Sequence, residues 1–376
     1  MRGAFLMSQI EQVEMEHRLR ILRDAMARSN VGITAVAPGD MMRYLAGYAS
    51  YPDERLCLLL ISADKVAVVV PALNAAEWQT HTTLPLYTWA DAEGPGAALR
   101  AALSSLEVSP LRRLAVDGEM RADFLLHLLE ATGNPEVITL AALGAPLRLC
   151  KSPSEIALLQ AAAAQADRAM QAAIEACQPG VTEAQVAWAA EQAFRMDGAD
   201  YVCFTLVASG PNSAFPHHRS GQRTLQRGDA VIIDIGASLN HYKSDITRVV
   251  YLGEPPLVFL RTYDAVLQAN EQARAAVKPG VTAASVDRAA RVVLEAAGCA
   301  GHFVHRTGHG LGLSVHEPPW IMAGNEQLLE EGMVFSIEPG VYFPGQFGIR
   351  IEDIVVVTAS GARTLTGFDR RLVVKA

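Results

Sequence analysis

Residues 178–200 read QPGVTEAQVAWAAEQAFRMDGAD, and residues 278–300 read KPGVTAASVDRAARVVLEAAGCA. At a constant offset of 100 positions, without a gap, nine of the 23 pairs are identical. In the first copy they are Pro179, Gly180, Val181, Thr182, Ala184, Val186, Ala189, Ala190 and Gly198. Each copy holds the same parts in order: a Pro-Gly turn, a threonine placed to cap a helix, an amphipathic helix and a closing glycine. Strand-like sequence follows both. This is a signal of internal duplication. Two copies are too few for a stacked solenoid, so the block predicts one domain with pseudo-twofold symmetry.

Upstream of the first copy, an Ala-rich helix runs to about Cys177. Ser152 or Ser154 is its cap, and Glu155 sits where a carboxylate favours the helix dipole. Before it, residues 141–153 (AALGAPLRLCKSP) carry a glycine and two prolines with little periodicity. The domain boundary is placed there, giving 1–147 and 148–376. The first domain alternates. A helix is expected over 9–28, a strand over 32–37, one or two helical turns over 41–46, and strands over 56–62, 66–70 and 84–89. Helices over 96–106 and 122–131 flank a strand at 113–116. This alternation predicts an α/β domain.

Half of the 376 residues are hydrophobic and 19% are charged, so a large core is available. A net charge of −8 gives no basic footprint for nucleic acid. The five cysteines are scattered, odd in number and in no CxxC pair, which fits a reducing compartment. The first 17 residues have only a four-residue apolar patch and no leader-like hydrophobic stretch. No segment reaches the roughly 20 apolar residues that span a bilayer. The expectation is a cytoplasmic protein without a membrane partner.

The chemistry gathers in the last third. Residues 231–247, VIIDIGASLNHYKSDIT, set Asp234 in an apolar strand and Asp245 eleven positions later. A bare buried carboxylate costs several kcal/mol unless it is paired or holds a metal. A hairpin brings the two together, where they repel unless a cation lies between them. Taken alone, they are equally well read as a turn cap and an arginine partner. His309 lies in GHGLG, whose glycines let the backbone approach closely. His316 follows in VHEP. Glu338 ends the apolar run 333–337, ahead of Pro339-Gly340. Glu352 lies in 348–357, GIRIEDIVVV, where period-two alternation puts Arg350 on its face. That makes Arg350 a partner or orienter of Glu352, or half of a plain ion pair. Four carboxylates and one imidazole are too oxygen-rich for structural zinc. They suit two divalent ions about 3.5–4 Å apart, bridged by carboxylates. Such ligation favours Mn, with Co, Zn or Fe as alternatives.

The order Asp, Asp, His, Glu, Glu in the settings VIIDIGA, SDITR, GHGLGLSVHE, SIEPG and RIED resembles the pita-bread metallopeptidases. Within them it is most similar to the Xaa-Pro dipeptidase (prolidase) and aminopeptidase P branch. The resemblance is strong over about residues 150–370 and weaker over the first domain. It implies an N-terminal creatinase-like α/β domain and a C-terminal pseudo-twofold pita-bread catalytic domain, in a homodimer. It also implies roles. Asp234 and His309 each chelate one ion, Asp245 and Glu352 bridge both, and Glu338 binds one ion and relays protons as general base. His217, 17 residues before Asp234, joins His316 in positioning substrate and stabilising the oxyanion, in preference to His218. Arg350 supports from behind.

One position departs from the pattern. Many prolidases carry an arginine four residues beyond the histidine of the HE motif, where it grips the dipeptide carboxylate. Trp320 stands there in this chain, an apolar wall against the substrate. The carboxylate is then met by an arginine from a neighbouring loop or subunit, or longer peptides are accepted. The loop 51–55, YPDER, is one that could reach a partner's site, or is a solvated turn. The expected activity is Xaa-Pro dipeptide hydrolysis. Aminopeptidase P activity on longer peptides is the alternative. A metal-free creatinase-like amidinohydrolase and an inactive peptide-binding module are remoter ones.

Overall fold

The computed structural model describes residues 9–144 and 147–376. The start of the stretch read for a leader (1–8) and two residues of the expected boundary segment (145–146) lie outside the described residues. The chain divides into two compact units, Met1–Leu147 and Arg148–Ala376.

The first unit contains α1 (Gln9–Arg28), β1 (Ile33–Val36), α2 (Asp40–Ala46), β2 (Leu58–Ile61), β3 (Val66–Pro71) and α3 (Ala72–His81). It continues through β4 (Leu86–Trp89), α4 (Gly96–Ser105), β5 (Arg113–Val116), α5 (Ala122–Thr132) and β6 (Glu136–Thr139). Its six strands form one sheet in the order β4-β3-β2-β1-β5-β6. The pairs β1/β5, β5/β6 and β3/β4 are parallel, while β1/β2 and β2/β3 are antiparallel. Strands β1 and β2 are buried along their whole length, which is why they read as continuous apolar runs. Two elements were not expected. Among the residues of α3 only Trp78 is buried, and the strand β6 is half-exposed, so neither carries a clear hydrophobic period. In the loop 51–55, Tyr51 is exposed and Arg55 pairs with Asp91 (3.0 Å) and Asp53 (3.6 Å).

The second unit opens with α6 (Pro153–Ala176), capped by Ser152. The Ser152 hydroxyl accepts the Glu155 N–H, and the Glu155 carboxylate accepts the Ser152 N–H, closing a capping box. There follow α7 (Glu183–Met196), β7 (Tyr201–Ser209), β8 (Ala230–Leu239), β9 (Tyr242–Lys243), β10 (Ile246–Leu252), α8 (Leu257–Ala276) and α9 (Ala283–Ala296). The chain closes with β11 (Gly308–Gly310), β12 (Glu317–Ile321), β13 (Val334–Ile337), β14 (Gly340–Phe343), β15 (Phe347–Arg350), β16 (Asp353–Thr358), β17 (Gly361–Thr364) and β18 (Val373–Lys375).

The duplication is visible in the hydrogen bonding. Thr182 caps α7 and Thr282 caps α9. Gly180 N–H donates to the Leu225 carbonyl and Gly280 N–H to that of Leu329; Glu183 N–H donates to Arg223 and Ala283 N–H to Gln327. The partners stand 104 positions apart, so the second half is four residues longer between its helix and the returning strand. At that same offset Asp234, at the core of β8, corresponds to Glu338, at the end of β13.

Each half covers its sheet with a helix pair. Val231, Ile233 and Ile235 of β8 pack with α6 and α7 (Met170, Ala173, Val186, Phe194). Phe335 and Ile337 of β13 pack with α8 and α9 (Val266, Ala269, Val286, Leu294). Alternation along each strand therefore turns Asp234 and Glu338 away from those helices. The site forms on the faces that the helices leave free.

Candidate metal centre

Strands β8 and β10 pair antiparallel with Thr247 opposite Asp234 and Ile246 opposite Ile235. The stretch 237–243 extends β8 to Leu239 and returns as β9 through Asn240 and His241, both at positive φ (49° and 70°). Two residues at positive φ fit the tight two-residue hairpin. Between β9 and β10 the chain steps out of register. The Ser244 N–H donates to the Ala237 carbonyl (2.9 Å) and the Ala237 N–H to the Ser244 hydroxyl (3.1 Å). This fixes the residue before Asp245. Gly236 permits it, because a Cβ there would collide with the Ser244 carbonyl and the Phe204 ring.

His309 enters from β11, which pairs with β12 (His309 opposite Trp320) and touches β13 (Gly310 opposite Phe335). A Cβ on Gly308 would run into the Ser336 carbonyl, so the close approach of β11 to β13 requires glycine. The His309 N–H donates to the Ser336 hydroxyl (3.0 Å), which in turn donates to Glu338 (3.1 Å). His309 Nδ1 lies 3.1 Å from the Gly310 carbonyl, so it carries the proton and Nε2 presents its lone pair. Nε2 is 3.3 Å from Glu338 Oε1 and 3.7 Å from Asp245 Oδ2.

All five residues singled out as ligands, Asp234, Asp245, His309, Glu338 and Glu352, line one cavity of about 520 Å³. Asp245, His309 and Glu352 offer ligand atoms that all lie within 4.8 Å of one another. Burial pushes the carboxyls of Asp245 and Glu352 well above the ordinary range, and their acidic neighbours add to it. Burial raises Glu338 to about 7, against the opposing charge of Arg350. The His309 imidazole is lowered to about 3, first by burial and then by His316, so it is held in the neutral form that ligates metals. Two buried carboxylate oxygens, Asp234 Oδ1 and Glu352 Oε1, have no donor among the described residues. Such groups are costly unless something cationic meets them. The donor set and its orphaned oxygens fit divalent ions.

Arg350 departs from its expected partner. The stretch 348–357 is not one strand: β15 pairs with β14, while β16 joins β13 in another sheet. Arg350 consequently reaches Asp234 (2.5 Å), Tyr342 (2.7 Å) and Thr247 (3.3 Å) rather than Glu352. Glu352 accepts from Thr247 (2.7 Å). Tyr342 also bonds His305 (2.9 Å). Nothing in the sequence pattern singled out Thr247, Tyr342 or His305: Thr247 meets Glu352 and Arg350 only when the two halves face each other, and Tyr342 meets His305 across 37 residues of chain.

The substrate-side residues separate clearly. His217 and His316 line the cavity, and His316 stands edge-on to His309 with ring centroids 4.1 Å apart. His218 turns instead to Glu183 (2.8 Å), a buried carboxylate that also accepts from Ser209, Asn212 and the Gly221 N–H. The His316 loop is anchored by the next residue. Glu317 is buried and pairs with Lys151 (2.8 Å) and Arg148, and it accepts the Ser314 N–H (3.3 Å). Trp320 is not among the cavity-lining residues. It supports Arg306, whose Cζ lies 4.4 Å from the indole centroid, and Arg306 itself lines the cavity.

These features define a pita-bread metallopeptidase. Residues 157–359 match the model of metallopeptidase family M24, and residues 18–150 match the creatinase/prolidase N-terminal domain. The chain belongs to family M24 and is a peptidase. Among its relatives, a probable dipeptidase PepE of Mycobacterium tuberculosis is 40% identical over 95% of this chain and 96% of that protein. A Xaa-Pro dipeptidase of Pyrococcus furiosus is 33% identical over 95% of this chain and 100% of that protein. The solved prolidase of Thermococcus sibiricus superposes with a TM-score of 0.91 at 33% identity, covering 96% of this chain and 98% of its own.

Proposed function

We propose that this protein is a Xaa-Pro dipeptidase that uses two divalent ions, Mn by preference, held by Asp234, Asp245, His309, Glu338 and Glu352. One observation carries the reading: four carboxylates and a neutral imidazole line one cavity, and among the described residues two of the carboxylate oxygens are buried without donors. When bound, the ions supply Lewis-acid polarisation of the peptide carbonyl and activation of water. The chain supplies the rest. Glu338 lines the cavity among the other ligands, placed to take a proton from the attacking water and pass it to the leaving proline nitrogen. His316 and His217 face the cavity beside His309, where an imidazole N–H can donate to the developing oxyanion. Arg350 holds Asp234 in place. Phe204, Leu206 and Pro216 give the cavity an apolar side suited to a pyrrolidine ring.

Mn follows from the hard oxygen ligands, and the homodimer from the family resemblance. A cytoplasmic setting is supported by five free cysteines, and among the described residues no helix is long and apolar enough to cross a membrane. The deciding experiment adds Mn, Co or Zn to metal-stripped protein and measures cleavage of Ala-Pro, Met-Pro and a Xaa-Pro-Yaa tripeptide. Dipeptide hydrolysis restored best by Mn is expected. Cleavage of the tripeptide alone would reject the dipeptidase in favour of aminopeptidase P. Activity that survives chelation would reject the metal mechanism.

A further inference from the structure

Two guanidinium groups line the active-site cavity, and they are differently employed. Arg350 is fully engaged by Asp234, Tyr342 and Thr247. Arg306 is not. Among the described residues no hydrogen bond or ion pair engages its guanidinium; its recorded contact is the face of Trp320, 4.4 Å from Cζ to the ring centroid. A contact with the face of an indole uses none of the hydrogen-bonding capacity of a guanidinium for an anion. Half-buried cations with unspent donors are unusual, because desolvation costs them and nothing in the chain repays it. The anion that satisfies them comes with a ligand.

The position is fixed by the strand pairing. Thr307 N–H donates to the Ile321 carbonyl, and His309 faces Trp320 across the same pair. Arg306 is therefore three residues before a residue of the metal centre and shares the cavity with His217 and His316. A substrate whose scissile carbonyl lies at the carboxylate cluster presents its far end within a residue's length of that point. In a Xaa-Pro dipeptide that end is a carboxylate. The imidazoles each offer one N–H to it, whereas a guanidinium offers two parallel donors matched to its two oxygens.

We propose that Arg306, held over the Trp320 indole, binds the C-terminal carboxylate of the dipeptide and sets the dipeptidase specificity. The proposal rests on the dipeptidase reading above. Trp320 then acts through Arg306, as a platform, rather than as a wall against the substrate. A Xaa-Pro-Yaa peptide places a neutral amide opposite Arg306 and forfeits the charged contact, so one residue both attracts dipeptides and disfavours longer chains.

The test compares kcat/KM for Ala-Pro and for its C-terminal amide in the Mn-loaded full-length protein, its Arg306→Met variant and its Arg306→Lys variant. Wild type is expected to favour the acid by about 10- to 100-fold, the range for a hydrogen bond to a charged group. Arg306→Met is expected to bring the ratio close to one, mainly through a higher KM for the acid. Arg306→Lys, which keeps the charge but loses the fork, is expected to fall between. Trp320→Leu, which removes only the platform, is expected to narrow the ratio as well, and serves if Arg306→Met does not fold. A wild-type enzyme that cleaves both substrates without preference would overturn the proposal and leave the peptidase reading intact. So would an acid preference that survives Arg306→Met. Failure of wild type to cleave either substrate would remove the dipeptidase reading, and this proposal with it.

Discussion

Glu317→Gln tests whether the loop carrying His316 depends on a buried ion pair. Glu317 is 5% exposed, and its partner Lys151 has a side chain only 2% exposed. The substitution keeps the shape and removes one charge. It leaves the ammonium group with neutral acceptors only, the new amide oxygen and the backbone carbonyls of Arg148 (2.8 Å) and Leu149 (3.4 Å). Breaking a buried pair from one side costs about 3–5 kcal/mol, because the surviving charge stays buried. The carbonyl contacts put the expected loss near the low end, about 3 kcal/mol. For a domain of this size each kcal/mol shifts Tm by roughly 2–4 °C, so calorimetry should record a fall of about 6–12 °C. The double variant Glu317→Gln/Lys151→Met should recover much of it, since no buried charge is left unpaired. Arg148, the second partner, sits nearer the surface and can rehydrate. A single variant within about 2 °C of wild type would refute the argument, as would a double variant whose loss equals the sum of the two singles.

Other consequences follow from the same geometry. Glu338→Gln should lower kcat by about 10²- to 10⁴-fold, the usual share of a general base, with the thermal transition retained; near-normal turnover would remove it as the proton carrier. Metal-stripped protein should lose stability as pH rises. Asp245, Glu338 and Glu352 have folded-state pKa values above their unfolded ones, so the native state binds more protons. The stability this confers is full below about pH 4 and is lost as pH climbs through the folded values, about 7 for Glu338. The Tm difference between metal-loaded and stripped protein should therefore widen from pH 5 to pH 8, and a constant difference contradicts this. Gly308→Ala drives a methyl group into the Ser336 carbonyl and should part β11 from β13. Metal analysis of the purified variant should give fewer ions per chain than wild type, and full occupancy would show that the close approach is dispensable.

The candidate ligands were legible because each breaks a local rule. Asp234 interrupts an apolar strand, His309 is flanked by glycines, and Glu338 closes a buried run. The duplication was legible because its turn and cap residues fall at one constant spacing. Legibility stopped where a partner is chosen across the fold. Arg350 and Glu352 look like same-face neighbours in a single strand, but the chain changes sheets at Ile351 and Arg350 goes to Asp234. His217 and His218 are adjacent and chemically alike; only the buried Glu183 separates them by drawing His218 aside. Arg306 gave no signal, since an arginine before TGHG is ordinary until a tryptophan 14 residues later is seen beneath it. In the first unit, α3 and the half-exposed strand β6 lacked a hydrophobic period to betray them.

The correspondence of Asp234 with Glu338 bears on how such a centre comes to exist. Asp234 and Asp245 belong to one half, and His309, Glu338 and Glu352 to the other. A half on its own would display a pair of acidic groups on an open face, which is a poor chelator. Two halves face to face close the ring of ligands. Joining them in one polypeptide replaces an encounter between molecules by an internal one at millimolar-scale effective concentration. It also frees the copies to diverge, so that an aspartate in one becomes a glutamate in the other and a single histidine is added. On the proposed ligand set, an ion bound there would fasten together two once-equivalent pieces of chain.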